Sequence, residues 1–104
     1  MIHVIAALRA QKGRRNAILG AFRGIVDDVR AKPGCVEYSL AIHVESGMQA
    51  QAGGSDDDVI IVEKWADLNV LQQHVADPGY QSWYLEQVWP DVAVASMQIF
   101  ESTS

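Results

Sequence analysis

The sequence predicts an α+β domain of ferredoxin-like topology, with a four-stranded antiparallel sheet and helices on one side of it. Some segments have the apolar spacing of strands and others the apolar spacing of helices, and they follow one another in the order β-α-β-β-α-α-β. With right-handed crossovers, this order gives the ferredoxin-like arrangement. The chain has 104 residues, 49% of them hydrophobic, so we assign residues 1–104 to a single globular domain.

The first strand and the first helix follow from the spacing of their apolar residues. Residues 2–9 alternate, and one face of the strand consists of Ile2, Val4, Ala6 and Leu8. A helix is predicted over residues 14–31, where an apolar stripe recurs at steps of three and four and consists of Ile18, Phe22, Ile25 and Val29. The segment Lys32-Pro33-Gly34 ends this helix, because proline cannot continue it.

Two further strands enclose a long loop. Residues 35–45 alternate cleanly, and their apolar parity consists of Val36, Tyr38, Leu40, Ile42 and Val44. Residues 46–58 contain three glycines and no periodicity, which indicates a loop. Residues 59–65 form the next strand, and we expect it to run antiparallel to the strand before the loop.

Two helices and a strand complete the chain. Asp67 is the predicted N-cap of a short helix that reaches about Val75. Asp77 followed by Pro78 predicts a second helix start, because proline is favoured at the first helical position. One face of this helix, which Pro90 is expected to end, consists of Tyr80, Trp83, Tyr84 and Val88. Residues 92–101 form the last strand.

The composition argues against several classes of protein. Eight Lys and Arg against 13 Asp and Glu give a net charge of −5, which argues against nucleic acid and anionic membranes as partners. No apolar run approaches the roughly 18 residues of a membrane span. The N-terminus has no basic region before its apolar stretch, so we expect no signal peptide and a cytoplasmic protein.

Both faces of the predicted sheet are apolar over much of their area. The third and fourth strands carry apolar residues at both parities, for example Ile60, Val62, Met97 and Ile99 at one parity and Ile61, Val94 and Phe100 at the other. Helices can cover only one face, and an acidic monomer would leave a large apolar surface in water. We therefore expect a homodimer in which the open sheet face packs against a second copy.

Few residues have the spacing of a metal or nucleophile site. Cys35 is the only cysteine, which excludes an internal disulfide and a CxxC site, and no base lies at a suitable spacing from it. His3 and His43 are candidate ligands on neighbouring strands, but no third ligand is spaced to join them. The aspartates of residues 56–58 lack the alternate spacing of a calcium loop. We expect no bound metal.

The segment from the third strand to the following helix carries a recognisable pattern. Glu63 and Trp65 form a Glu-x-Trp motif, and His74 follows nine residues after the tryptophan. Together with Pro33-Gly34-Cys35 and the opening VIAALRAQKG, this pattern resembles the antibiotic biosynthesis monooxygenase family over about residues 2–101. Within the family, the chain resembles the small bacterial quinol monooxygenases.

The resemblance implies a dimeric α+β barrel with a pocket between sheet and helices in each subunit. It also implies oxidation of a quinol or related small aromatic by O2, with no cofactor. The polyketide-oxidising branch of the family has Asn four residues before the tryptophan, where this chain has Ile61. The haem-degrading branch has Asn and a haem-ligating His at positions that match about Ala6 and Tyr84, which disfavours haem degradation.

Glu63, Trp65 and His74 are the predicted catalytic residues. His74 is the first candidate base, because an imidazole titrates near neutral pH; the alternative is that it bonds a backbone carbonyl and fixes the short helix. Trp65 either stacks on the substrate ring or packs in the core. Glu63 either orients His74 or forms an ion pair with a basic side chain.

Tyr38, Trp83 and Tyr84 are the predicted pocket lining. Tyr38 is a better candidate than His43, because the two lie on opposite parities of one strand and Tyr38 is on the apolar one. Trp83 and Tyr84 either wall the pocket or belong to the core. Because the Asn is missing, the alternative function is a non-catalytic dimeric domain that binds a small hydrophobic ligand.

Overall fold

Four strands form one sheet in the computed structural model, which describes residues Met1–Ser104. The elements are β1 (Ile2–Ala10), α1 (Arg15–Arg23), α2 (Val26–Arg30), β2 (Cys35–Ile42), β3 (Asp58–Trp65), α3 (Leu68–Ala76), α4 (Pro78–Gln87) and β4 (Val92–Glu101), with a short 3-10 turn at Trp89–Asp91. The strands are antiparallel in the order β2-β3-β1-β4, which confirms the predicted ferredoxin-like sheet. None of the helices has both the length and the apolar character needed to cross a membrane.

The inner face of the sheet, which the helices cover, holds the core. The pairing register places Val4 of β1 beside Glu63 of β3, so the alternation of the two strands is in phase. The buried residues of the inner face include Ile2, Val4, Ala6, Leu8, Ala10, Tyr38, Val59, Ile61, Glu63 and Trp65. The helices contribute Ile18, Leu19, Phe22, Val29 and Leu71 to the core. The face of β1 that consists of Ile2, Val4, Ala6 and Leu8 is therefore the buried one.

The opposite side of the sheet, called the open face below, carries no helix. Its apolar side chains come from β1, β3 and β4 and include Ile5, Ala7, Ile60, Val62, Val94 and Phe100. Val94 and Phe100 are 61% and 52% exposed. The open face thus presents apolar side chains of three strands at the surface.

The prediction of one continuous helix over residues 14–31 is wrong, because the helix is interrupted between Arg23 and Val26. The amides of Gly24 and Ile25 donate to carbonyls three residues back instead of four, so the chain tightens between α1 and α2. Glycine has a low helix propensity, which makes the interruption inexpensive. The turn lets α2 lie against β2, where Arg30 Nε donates to the carbonyl oxygen of Tyr38 at 2.9 Å.

The second strand is shorter and less regular than predicted. It ends at Ile42, so the loop before β3 begins earlier than expected. A register shift between Cys35 and Glu37 leaves Val36 outside the regular ladder, where it is 55% exposed. The prediction that Val36 shares the buried parity of Tyr38 is therefore wrong, because the bulge reverses the alternation at the start of the strand.

Two aspartates begin the last two helices, as predicted. Asp67 accepts a hydrogen bond from the amide three residues further on, and Asp77 from the amide two residues further on, both at 2.9 Å. Pro78 is the first residue of α4. This helix ends at Gln87, and Pro90 lies within the following 3-10 turn instead of ending the helix itself.

Gly34 allows α3 to approach the end of α2 closely. Its φ of +83° lies in the left-handed region, and a Cβ at this position would lie 2.6 Å from a methyl carbon of Val70. The carbonyl oxygen of Gly34 accepts from the amide of Ala66 at 2.9 Å. The glycine thus brings α3, which carries His74, against the segment that carries Lys32.

Candidate active site

A cavity of about 590 Å³ lies between the inner face of the sheet and helices α3 and α4. Ala6 and Ile61 line it from the sheet, and Tyr84 and Leu85 line it from α4. Most of the lining side chains are hydrophobic. On the side of β4 the lining residue Met97 is half exposed, so the cavity is open there. The volume lies within the range of small-molecule sites, roughly 300–1,000 Å³.

Glu63 is the only acidic side chain that lines the cavity. It is 5% exposed, and its Oε1 accepts from Trp65 Nε1 at 3.0 Å. Burial raises the pKa of Glu63 to about 7, although the Trp65 hydrogen bond opposes the rise. Oε2 has no hydrogen-bond partner in the protein. Every fully buried polar side-chain atom does have a partner, so Oε2 is not fully buried and opens into the cavity. This carboxyl can therefore accept a proton from a bound molecule near neutral pH.

Trp65 supports both Glu63 and His74 from behind the cavity. It is fully buried at the end of β3, and its indole stacks on the imidazole of His74 with ring centroids 4.5 Å apart. Its Nε1 holds the Glu63 carboxyl at the same time. Trp65 does not line the cavity itself, so of its two predicted roles the geometry favours core packing over stacking on a ligand.

His74 presents a neutral imidazole to the cavity. Its Nδ1 lies 2.9 Å from Nζ of Lys32, which also pairs with Oδ2 of Asp77 at 2.9 Å. Burial and the Lys32 charge lower the pKa of His74 to about 4, and Asp77 opposes this. An ammonium group can only donate, so Nδ1 accepts and Nε2 carries the proton. His74 is therefore a hydrogen-bond donor at neutral pH, which disfavours its predicted role as the base.

The hydroxyl groups of Tyr38 and Tyr80 meet in the cavity at 2.9 Å. Burial raises the pKa of Tyr38 well above its usual range and that of Tyr80 to about 12, so both stay protonated at neutral pH. The Tyr80 ring also packs against the imidazole of His74 at 4.2 Å between centroids. The pair thus offers hydrogen-bonding hydroxyls but no base.

The structure brings four of the six predicted site residues to this one cavity. Those that line it are Glu63, His74, Tyr38 and Tyr84. Trp65 lies behind the lining, and Trp83 instead packs edge-to-face on Phe22 with ring centroids 5.1 Å apart. For Trp83, the alternative of core packing therefore fits the geometry better than a place in the cavity wall.

The predicted site residues do not include Tyr80 and Lys32. The signal for Tyr80 was present, since it follows the Asp77 cap closely and lies on the aromatic face of its helix. Lys32 looks in the sequence like part of a helix stop. No local pattern indicates that it reaches His74, which is 42 residues away.

The metal and nucleophile candidates of the sequence lie outside the cavity. No group of three or more His, Cys, Asp and Glu residues is placed to hold a metal ion. Neither His3 nor His43 lines the cavity, and Asp58 of the acidic run pairs with Arg9 at 2.8 Å. Burial raises the pKa of the Cys35 thiol, which makes it a weaker nucleophile at neutral pH.

Residues 1–84 match the family model described as antibiotic biosynthesis monooxygenase. No curated protein matches the chain. A solved structure from Shewanella oneidensis is 24% identical, covers 95% of this chain and 87% of its own, and has a TM-score of 0.78. A proposed antibiotic biosynthesis monooxygenase from Deinococcus radiodurans is 18% identical over 100% and 94% of the two chains, with a TM-score of 0.79. Another from Nitrosomonas europaea is 13% identical over the whole of both chains, with a TM-score of 0.81.

Proposed function

This chain belongs to the antibiotic biosynthesis monooxygenase family, and on that premise we propose that it oxidises a quinol or related small aromatic with O2, without a cofactor. The observation that carries the proposal is the Glu63 carboxyl. Its free oxygen opens into an apolar cavity, and its pKa is raised to about 7. A base with this pKa is well matched to removing a proton near neutral pH.

Glu63 is the base in this proposal, in place of His74. A hydroxyl of the bound ring lies against Oε2, while Trp65 holds Oε1 in position. Loss of the hydroxyl proton gives an electron-rich phenolate, the form of the substrate that can pass an electron to O2. The apolar lining limits the water that would otherwise solvate the anion.

His74 donates a hydrogen bond to the oxygen on which negative charge develops. Its Nε2 carries the proton because Lys32 occupies Nδ1. A donor fixed in this way stabilises the anion more than the neutral ring, which is the condition for lowering the barrier. Tyr84 supplies aromatic surface for the ring at the cavity wall.

The reaction balances with O2 as the only oxidant. The phenolate gives one electron to O2, and the resulting aryloxyl radical and superoxide then combine through a ring carbon that carries hydrogen, which forms a carbon–oxygen bond. The peroxide takes back the proton from Glu63 and loses water together with the hydrogen of that ring carbon. A naphthoquinol is thus converted to a hydroxynaphthoquinone, with one oxygen atom in the product and the other in water.

The protein acts as a homodimer in the cytoplasm in this proposal. Support for the dimer comes from the open face, where apolar side chains of three strands lie uncovered and Val94 and Phe100 are more than half exposed. A second copy that packs face to face would remove this surface from water.

The alternative function is a domain that binds a small hydrophobic ligand without turnover. Ile61, which lines the cavity, favours it, because the polyketide-oxidising branch has Asn at this position and this chain lacks that polar group. Binding of a naphthoquinone without O2 consumption would support this alternative.

Oxygen uptake with a panel of reduced naphthoquinols tests the proposal, measured against a blank without protein. We expect uptake well above the blank that a chelator does not reduce, and one 18O atom from 18O2 in the hydroxynaphthoquinone. Glu63→Gln should lower the rate by about 100-fold or more, while Glu37→Gln, a carboxyl outside the cavity, should not. Uptake equal to the blank across the panel, or hydrogen peroxide as the only reduced product, would overturn the proposal.

A further inference from the structure

We propose that Lys32 is a positioning residue, which holds His74 as a neutral imidazole with its proton on Nε2 and so presents one fixed donor to the cavity. The effect on turnover rests on the proposed function. The effect on the protons of His74 does not, because it concerns the protein without substrate.

The Lys32 side chain bridges two helices at the back of the cavity. Its Nζ lies 2.9 Å from His74 Nδ1 on α3 and 2.9 Å from Asp77 Oδ2 at the start of α4. The same ammonium lies 5.1 Å from the ring centre of Tyr80. The Lys32 side chain is only 24% exposed, and its backbone amide and carbonyl are both bonded in the turn after α2. It therefore approaches His74 from a fixed position.

The chemistry of the two groups determines where the proton of His74 lies. An ammonium has three donors and no acceptor, so a bond to Nδ1 requires that Nδ1 be unprotonated. The positive charge also opposes a second proton on the ring. His74 Nε2 has no hydrogen-bond partner in the protein and is not fully buried, so this N–H is free to donate to a ligand.

No other group around His74 can take over the effect of Lys32 on its protonation. Asp77 favours the doubly protonated ring, but Lys32 neutralises it through their ion pair. Tyr38 and Tyr80 pack against the imidazole through their rings and keep their protons at neutral pH. Trp65 stacks on the imidazole and places its donor on Glu63 instead. Removing Lys32 therefore leaves the negative charge of Asp77 to favour the doubly protonated ring.

Nitrogen-15 NMR of labelled histidine tests the proposal on the full protein without substrate, with the His74 signals assigned from a His74→Gln variant. In the wild type we expect a neutral ring protonated on Nε2 and unchanged from pH 6 to 9. In Lys32→Met we expect the pKa of His74 to rise by about one pH unit or more, so a titration extended below pH 6 should show the ring taking its second proton at a higher pH than in the wild type. Lys12→Met, which removes an exposed lysine of the turn after β1, is the matched control and should leave His74 unchanged.

Two further variants separate charge from hydrogen bonding. Lys32→Gln keeps a donor for Nδ1 without the charge, so the tautomer should persist while the pKa rises. Lys32→Arg, which is charged and only donates, should restore the wild-type spectrum. If Lys32→Met fails to fold, the Lys32→Gln spectrum decides. A His74 signal with wild-type tautomer and titration in every folded variant that lacks the Lys32 charge would overturn the proposal.

A turnover measurement then separates this inference from the proposed function. If the protein consumes O2, Lys32→Met should lower kcat/KM about tenfold, the effect of losing one fixed hydrogen bond in the transition state. Lys32→Arg should recover most of that loss. If the wild type consumes no O2, the proposed function fails, while the NMR result still decides the role of Lys32.

Discussion

The indole of Trp65 lies nearly parallel to the imidazole of His74, with 24° between their planes and 4.5 Å between their centroids. The same indole donates its only N–H to Glu63. The acid group and the imidazole of the cavity therefore share one fully buried support. A change at Trp65 must affect the pKa of one group and the packing of the other.

Trp65→Phe should shift the pH dependence of activity upward. The substitution keeps an aromatic ring against His74 but removes the hydrogen bond that lowers the pKa of Glu63, so the carboxyl ionises at a higher pH. The proposed base is the ionised form of Glu63, so kcat/KM of the wild type should rise with pH around a midpoint of about 7. The midpoint of the variant should lie at higher pH. Trp83→Phe is the control and should keep the wild-type midpoint. An unchanged midpoint of kcat/KM against pH in Trp65→Phe would count against Glu63 as the base.

Glu63 and His74 should give the protein opposite pH dependences of stability. The pKa of Glu63 is raised from 4.5 to about 7, so the free energy of unfolding falls as pH rises through this interval. The pKa of His74 is lowered from 6.5 to about 4, so the free energy of unfolding falls as pH drops through that interval. Each pKa shift changes the free energy of unfolding by about 3 kcal/mol. The two pH intervals overlap between 4.5 and 6.5, and the two changes should largely cancel there.

Glu63→Gln should expose this cancellation in urea titrations from pH 4 to 8. Without the carboxyl, only the His74 effect remains, so the free energy of unfolding should rise with pH up to about 6.5. At pH 8 the variant should be more stable than the wild type by up to about 3 kcal/mol, with Glu37→Gln as the control. Parallel wild-type and Glu63→Gln profiles would show that burial does not perturb the Glu63 carboxyl.

His74→Ala should lower turnover while the fold stays intact, because it removes the hydrogen-bond donor that we propose stabilises the anion. His43→Ala is the matched control, since that imidazole does not line the cavity. The measurements are kcat/KM for a reduced naphthoquinol and the far-UV circular dichroism of each variant. Unchanged turnover in a folded His74→Ala protein would remove His74 from the mechanism.

Gly34→Ala should destabilise the protein more than Gly13→Ala. Both glycines have φ between +77° and +83°, but only at Gly34 does the added methyl meet a neighbour, the side chain of Val70. The left-handed backbone alone costs about 1 kcal/mol, and overpacking adds about 2 kcal/mol at Gly34. Thermal and urea unfolding measure the difference, and equal losses at the two positions would show that α3 adjusts without strain.

Val62→Glu should separate the proposed homodimer into single chains. Val62 lies on the open face, and burying a carboxylate there without a partner opposes association. Light scattering at micromolar concentration should give twice the chain mass for the wild type and one chain mass for the variant. Val44→Glu, at a 70% exposed position after β2, is the control and should remain dimeric. A wild type of one chain mass would refute the dimer.

The fold was predictable where local chemistry decides it. The two faces of β1, the caps at Asp67 and Asp77 and the order of the elements all follow from nearest neighbours in sequence. The break at Gly24 and the bulge at Val36 were not predictable, because both depend on how α2 and β2 pack against the rest of the molecule.

The site was predictable for side chains that share a strand face or a helix face. Tyr38 and Glu63 lie opposite each other in the β2–β3 register, so alternation brings them to one side of the sheet. The proton arrangement on His74 was not predictable, since Lys32 meets it only through the tertiary approach that Gly34 permits. For the same reason, the sequence favoured His74 over Glu63 as the base.

The open side of the cavity lies against β4, the strand at the edge of the sheet. Ala95 and Met97 line it there, but both are exposed and neither belongs to the buried core. Substitutions at these positions change the shape of the entrance without removing core contacts, so they cost little folding stability. In the proposed function, substitutions on this strand can therefore alter which molecules enter, while Glu63 on β3 and His74 on α3 stay in place.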